Sequence, residues 1–398
     1  MNSYIKNKNI TIGVCGGIAA YKSAYLVRLL KKHDANVRVI MTQNAKKFVS
    51  SLTFEALSNR PVYDSLFENN EGAINHIKWA SESDLVVIVP ATANIIGKIA
   101  NGIADDALST FLLAVKCPVL ICPSMNTAMY ENRIVQNNLD TLEKEGYFII
   151  EPGSGELACG TTGAGRLPEP EIILDRVIDK LTIKDFQGKK GIVTAGPTWE
   201  HIDPIRFISN PSSGKMGYSL AKALKYRGAD VVLVTGPTNI NMQAEVKTIK
   251  VKTAIEMSDA VFSEFENCDL VIKASAVSDY RAKDIRSEKI KKKEEEMLIV
   301  FQKNIDILKE LGKRKTKQFL VGFAAETQDL EEYAKKKLIE KNLDMIVANL
   351  IESKESVFGS DKNKVTIFYK NNGKEILSEM GKDDLSHVIL DRIKCLIV

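Results

Sequence analysis

Short uninterrupted runs of Val, Ile and Leu recur along this chain, separated by amphipathic stretches of helical length. In the first half the runs are Ile10–Cys15, Val37–Met41, Leu85–Val89, Val119–Ile121 and Phe148–Ile150. They are continuous rather than alternating, as expected of parallel strands covered on both faces. Helical spacing falls between them, as in Ala19–Lys32 and Asp105–Ala114. After residue 190 the pattern restarts, with strands expected at Gly191–Ala195, Val231–Thr235, Leu270–Ala274, Phe319–Gly322, Met345–Ala348 and Val365–Tyr369. Helices are expected at Gly214–Arg227, Thr253–Glu266 and 329–341, with another closing the chain. Alternation of this kind specifies doubly wound α/β sheets, and 398 residues are too many for one ordinary core. The expected architecture is α/β, with two tandem Rossmann-like domains over 1–185 and 186–398 and a polar linker around 182–190. Residues 151–170, EPGSGELACGTTGAGRLPEP, hold five Gly and three Pro and are expected to be neither helix nor strand.

Composition removes several classes of function. Apolar residues make up 44% and charged residues 27%, which suits a globular chain rather than disorder or a coiled coil. No uncharged apolar run approaches the ~18 residues of a membrane span, and the N-terminal MNSYIKNKNITIGV has no apolar signal region. A cytoplasmic protein with no membrane partner is expected. Residues 1–182 hold 18 Lys+Arg against 19 Asp+Glu, and residues 183–398 hold 37 against 32, so the second half is +5 and the first −1. With no aromatic-basic stripe and no zinc-finger spacing, that balance favours a phosphorylated small molecule over nucleic acid. Six Cys without a CxxC pair, and four scattered His, offer neither a disulfide framework nor a zinc site.

The first strand ends in GVCGGIAAYKS, a Gly pair where a helix begins. Bare backbone there lets a phosphate reach free N–H groups at the positive end of a helix, although a tight turn alone would also want glycine. G-x-G-x-x-G fails at Gly13-Val14-Cys15-Gly16-Gly17-Ile18, and the second strand ends in Thr42 where an NAD enzyme has an acid. These features favour a mononucleotide or flavin phosphate over NAD. NPSSGKMG in the second half fails as a P-loop, because Met216 follows Lys215 and position 209 is Ser. It remains a donor-rich loop opening a helix.

Several clusters coincide with one family. His76 in INHIKWA, PATANIIGKIANGIADDALST (90–110), PSMNTAMY (123–130) and ELACGTTGAGR (156–166) resemble the flavin-dependent cysteine decarboxylases. GPTWEHIDPIRFISNPSSGKMG (196–217), ASAVSDYRAKDIRSEKIKK (274–292), VGFAAET (321–327) and KKKLIEKNLDMIVAN (335–349) resemble the phosphopantothenate–cysteine ligase domain. The order is that of the bifunctional decarboxylase/ligase family of coenzyme A biosynthesis. The resemblance implies a flavodoxin-like first domain holding FMN through Gly16, Gly17, Thr42, Pro90, Ala91, Thr92, Asn94 and Ser109. It makes His76 a base or proton relay, Asn126 the anchor of the substrate carboxylate and Cys159 a proton donor. Taken alone, His76 would be a surface or capping residue, Asn126 a turn or cap and Cys159 an incidental thiol. The PSMNTAMY box departs from the family pattern in ending with Tyr130, where members often carry Trp.

The implied chemistry explains the parts. An acylated cysteine has no adjacent carbonyl to accept electrons when carbon dioxide leaves, and flavin oxidation of its thiol to a thioaldehyde would create that sink. Protonation and hydride return then complete a reaction with no net redox change. For the ligase half the resemblance implies activation of 4′-phosphopantothenate by CTP as an acyl-cytidylate, followed by attack of the cysteine amine. It implies CTP contacts at Asp279, Lys289, Asn304, Ile305, Asp306, Ile307, Phe323, Lys337 and Lys341, acyl-nucleotide stabilisation by Asn210, catalysis by Lys289 and Mg2+ at Asp279. Nothing in the residues themselves excludes ATP, and Lys289–Lys293 reads equally as a solvated charge run. A homo-oligomer is implied, with trimeric decarboxylase and dimeric ligase contacts. The main rival is an FMN-binding regulatory flavoprotein, which predicts loss of His76, Asn126 or Cys159, whereas all three are present.

Overall fold

The structure is a computed structural model and describes residues 5–66, 75–156, 160, 162–242, 245–291, 297–326, 329–350 and 360–397. It divides the chain into two compact units, the first ending at Thr182 and the second beginning at Ile183.

The first unit is built on five parallel strands, β1 (Asn9–Val14), β2 (Asn36–Met41), β3 (Leu85–Ala91), β4 (Val119–Pro123) and β5 (Phe148–Ile149). Their order β2-β1-β3-β4-β5 is the flavodoxin-like one. Its helices are α1 (Ala20–Lys32), α2 (Ser51–Ser58), α3 (Asn75–Glu82), α4 (Ala93–Ala100), α5 (Ala107–Ala114), α6 (Thr127–Tyr130), α7 (Arg133–Lys144) and α8 (Pro170–Leu181). Strand β3 is apolar throughout because both its faces are covered. Leu85, Val87 and Val89 pack with Leu26, Val27 and Leu30 of α1, while Val86 and Ile88 pack with Leu108 and Phe111 of α5. The buried side of α1 is the helical stripe Ala20, Ser23, Leu26, Val27 and Leu30.

One expectation for this unit is overturned. The segment 151–170 contains an antiparallel ribbon, β6 (Gly153–Glu156) and β7 (Thr162–Arg166). Two of its glycines, Gly163 and Gly165, serve close approach. The Met125 N–H donates to the Gly165 carbonyl at 3.0 Å. A Cβ on Gly165, whose φ is +126°, would lie 2.3 Å from the Met125 carbonyl oxygen.

The second unit contributes β8 (Lys190–Ala195), β9 (Glu200–His201), β10 (Phe207–Ile208), β11 (Asp230–Thr235), β12 (Lys247–Lys250), β13 (Leu270–Lys273), β14 (Tyr280–Ala282), β15 (Phe301–Lys303), β16 (Phe319–Glu326), β17 (Met345–Leu350), β18 (Lys362–Asn363), β19 (Thr366–Tyr369), β20 (Lys374–Ile376) and β21 (Met380–Gly381). Its helices are α9 (Lys215–Tyr226), α10 (Ala254–Phe265), α11 (Ile307–Arg314), α12 (Leu330–Glu340) and α13 (Lys382–Lys394). Among the described residues the main sheet runs β12-β11-β8-β13-β16-β17-β19-β20. Its first six strands are parallel in the dinucleotide-fold order. The expected strand near Val365 is present, but β19 and β20 extend the edge antiparallel.

The expected polar linker is not a free tether. The Lys184 ammonium donates to the Tyr226 carbonyl at 2.7 Å, and the Asp185 carboxylate accepts from the Arg227 guanidinium at 2.7 and 2.6 Å. Phe186 is buried in the core with Leu220 and Leu224 of α9. Polar residues that read as solvated in sequence are consumed by the end of α9.

Candidate functional sites

In the first unit a cleft of about 940 Å³ opens beyond the carboxyl ends of β1, β2, β3 and β4. This is the strand-order switch point, where open α/β sheets hold ligands. Gly16, Gly17, Thr42, Thr92, Asn94 and Asn126 all line it. The two glycines differ in reason. A Cβ on Gly16 would stand 2.5 Å from Cβ of Asn44, so the protein itself demands glycine there. Nothing comes closer than 3.8 Å to a Cβ on Gly17, which leaves bare backbone facing the cleft. Helix α1 begins at this point with no side-chain cap, so the positive end of its dipole faces the cleft. Thr42 steadies the next loop, its hydroxyl accepting from the Ala45 N–H at 3.3 Å. Asn126 is both a cap and a cleft residue: its Oδ1 accepts from the Ala128 N–H at 2.9 Å.

Other expected residues fall differently. Ala91 is fully buried, and Pro90 approaches Gly17 from beneath without lining the cleft. Ser109 is buried in the capping box of α5, its N–H donating to Asp106 at 2.8 Å, so it supports the wall from behind. His76 is half-buried on α3 and does not line the cleft. Cys159 lies outside the described residues. Tyr130, at the departure from the family pattern, donates to the Glu151 carboxylate at 2.7 Å.

Four charged lining residues went unnoticed in the sequence: Lys22, Lys98, Asp106 and Arg166. Lys98 bridges Asp105 and Asp106 at 2.6 and 2.8 Å. Burial alone would raise the Asp106 carboxyl, but Lys98 and the Ser109 N–H hold it below the usual range. Lys22 and Arg166 both reach Glu169, at 2.9 and 3.1 Å, across the mouth. In the cleft wall, burial pushes the Cys15 thiol up to about 12, so it stays protonated.

In the second unit the expected residues gather around the loop that follows β13. Asn210 donates to the Val277 carbonyl at 3.1 Å. Asn304, buried, donates to the Ser278 carbonyl at 2.9 Å and accepts from Arg281 at 2.7 Å. The Asn304 N–H also donates to the Asp279 carbonyl at 2.8 Å. The two asparagines thus grip one backbone stretch and leave the Asp279 side chain exposed. Asp306 caps α11 and accepts from Lys341 at 2.8 Å, while Lys337 pairs with Glu326 at 2.5 Å. Lys341 and the Lys309 N–H hold the Asp306 carboxyl below its usual range against the opposing effect of burial. Ile305 is exposed and Phe323 half-buried, but the Ile307 side chain belongs to the core.

Lys289 is exposed, on a loop anchored by a residue sequence reasoning missed. Asp203, fully buried, accepts from the N–H groups of Ile205, Arg206 and Ile290 at 2.9, 2.8 and 3.2 Å. Burial would raise its carboxyl, but these backbone donors and Arg206 lower it below the ordinary range. The position beside Lys289 is therefore fixed by a turn far away in sequence.

Two family models match the chain end to end: Flavoprotein over residues 2–182, and DNA/pantothenate metabolism flavoprotein C-terminal domain over residues 186–396. The coenzyme A biosynthesis bifunctional protein CoaBC of Bacillus subtilis is 48% identical over 397 residues, covering 98% of each chain. The chain belongs to this bifunctional coenzyme A biosynthesis family. Its CoaBC relatives in Haemophilus influenzae and Escherichia coli are 44% and 42% identical, again over 98% of this chain and 98% and 97% of theirs. CoaBC membership runs through both units: the Flavoprotein match ends with the first unit, and the C-terminal match begins at Phe186, in the second core.

Proposed function

We propose that the chain carries out two consecutive steps of coenzyme A biosynthesis. The second unit joins 4′-phosphopantothenate to cysteine at the expense of CTP, and the first decarboxylates the resulting 4′-phosphopantothenoyl-cysteine with FMN. The observation that carries the reading is full-length kinship to bifunctional relatives in a chain whose first unit has a cleft at its switch point. A regulatory flavoprotein lacking catalysis would have no use for the Asn210–Asp279–Asn304 arrangement.

The first cleft fits a flavin mononucleotide. Its volume lies within the ordinary range for a cofactor of that size, and the bare backbone at Gly17 with the uncapped start of α1 suits the phosphate. Bound FMN supplies a reversible two-electron acceptor. Asn126 is placed at the cleft to hold the substrate carboxylate, with its cap bond fixing the amide's orientation. Lys98 and Asp106 provide a fixed ion pair in the wall, so no proton need move there. In this reading His76 and Cys159 handle the protons. His76 does not line the cleft of its own chain, and Ile18, Tyr21 and Met129 at the rim are exposed. Both observations support a contact between copies at this site, which the family resemblance makes trimeric, with dimeric contacts assigned to the ligase.

In the ligase, the phosphate chain of CTP would meet Lys289, Lys337 and Lys341. Asp279, exposed beside the gripped loop, would hold Mg2+ through one carboxylate, with phosphate oxygens and water as the remaining ligands. Asn210, on the loop before α9, is bonded to the loop that carries Asp279 and can donate to the acyl-nucleotide once that bond forms. Among the described residues no helix is long and apolar enough to cross a membrane; the cytoplasmic setting is part of the proposal.

The test is one preparation and two assays. Purified protein should absorb in the visible as bound oxidised flavin does, and should convert 4′-phosphopantothenate, cysteine and CTP to 4′-phosphopantetheine with release of pyrophosphate and carbon dioxide. A colourless protein that takes up no FMN would sink the decarboxylase half, and absence of CTP-dependent pyrophosphate release would sink the ligase half.

A further inference from the structure

Lys273 is the last residue of β13, which lies between β8 and β16 where the strand order reverses. It therefore stands at the switch point of the second sheet. Alternation along the strand puts it on the same face as Val271. Val271 packs with Ile307, Leu308 and Leu311, so that face is the one covered by α11. The amine of Lys273 is thereby brought among the groups at the start of α11 and the end of α12.

Its neighbours are already committed. Lys337 is paired with Glu326 and Lys341 with Asp306. Lys273 has as hydrogen-bond partner the Ser275 carbonyl at 3.3 Å, and no described carboxylate lies within ion-pair distance of it. Burial and the Lys341 charge pull its ammonium down to about 8, against the opposing pull of Asp306 and Asp279. A half-buried cation without a paired carboxylate is costly, and an arriving anion offsets that cost more fully than the nearby Asp306 and Asp279. Lys337 and Lys341 must give up part of an existing ion pair to meet a phosphate, whereas Lys273 need not.

We propose that Lys273 contacts the phosphate chain of the nucleoside triphosphate directly. The inference rests on the reading of this unit as a CTP-dependent ligase and adds a contact residue to it. The neighbouring carboxylates Asp306 and Asp279 explain why such a lysine can be retained in the ligand-free chain, and a triphosphate brings the charge that completes the cluster.

The experiment compares wild type with Lys273→Met and Lys273→Arg in the full chain, reading pyrophosphate release while CTP, 4′-phosphopantothenate or cysteine is varied in turn. Calorimetric titration with CTP gives the binding constant independently. Lys273→Met should raise the KM and Kd for CTP about tenfold, the ordinary worth of one charged contact, with KM for cysteine within twofold. Lys273→Arg should recover most of the loss. Decarboxylation by the first unit monitors the preparation. Unchanged CTP binding in Lys273→Met overturns the proposal. So does an equal rise in all three KM values, or an Arg variant as poor as Met, since either marks a packing role. If wild type itself turns over no CTP, the ligase reading fails first, and that outcome is distinct.

Discussion

A buried carboxylate helps fix how Lys289 is presented, beside the Arg206 bond to the Ile290 carbonyl and the Arg286 N–H bond to the Ile202 carbonyl. Asp203 holds the N–H of Ile290 together with its own turn at Ile205 and Arg206, so removing it loosens one end of the loop without touching Lys289. Asp203→Ala should lower ligase kcat/KM by on the order of 10–100-fold, the scale of a small displacement of a reacting group. Decarboxylation should be unchanged, and steady-state assays of the two half-reactions check both. The pH sign follows from the lowered carboxyl. Its contribution is complete above about pH 4, the unfolded value, and is lost as the pH falls through the depressed folded value. Loss of ligase structure on acidification should therefore begin at a higher pH in Asp203→Asn, as followed by near-ultraviolet circular dichroism. Lys289→Gln should slow acyl-nucleotide formation by ~10²–10³; unaltered pyrophosphate release would return it to the solvated charge run. Legibility at this scale is uneven. Asn126 and Asn210 stand in distinctive boxes, whereas Lys273 hides inside a strand and Asp203 inside a turn. Neither neighbour-free sequence shows that three N–H groups converge on Asp203, because one of them comes from Ile290.

Among the elements, the strands were the most readable. Covering β3 on both faces forces seven consecutive buried residues, Leu85–Ala91, a pattern visible without knowledge of what covers them. The ribbon of β6 and β7 was not readable, because its glycines look like loop glycines until the 124–127 segment is laid beside them. That contact yields a prediction. Gly165→Ala places a methyl against the Met125 carbonyl and asks for a positive φ at a non-glycine residue. Strain of that kind costs ~1–3 kcal/mol, and the ribbon relieves it by moving off the loop that carries Asn126. FMN retention and decarboxylation should fall together while ligation stays at the wild-type rate, measured by flavin absorbance per chain and by the two assays. Gly102→Ala, where no atom lies within 4 Å, is the control for a positive-φ glycine away from contact.

At the scale of the molecule, two units of separate core suggest separate expression, and the placement of Phe186 says where to cut. A fragment ending at Thr182 should fold, bind FMN and decarboxylate added 4′-phosphopantothenoyl-cysteine. A fragment beginning at Ile183 should fold and ligate. One beginning at 187 would discard the Asp185 partner of Arg227 and the buried Phe186 ring. Loss of such a ring costs about 3 kcal/mol or more, so its denaturation midpoint should lie well below that of the 183–398 fragment. If both longer fragments are insoluble alone and recover only on co-expression, the cores are not independent. The two-domain division was legible because the strand pattern restarts, but the joint was not, since polar side chains give no sign of having been claimed by α9. That joint has a consequence for ancestry. Among the described residues no strand of either sheet is borrowed from the other half, so a recombination event at Thr182 would transfer a whole enzyme in one piece. Lineages could exchange, separate or refuse the two halves by a single crossover, without rethreading either fold.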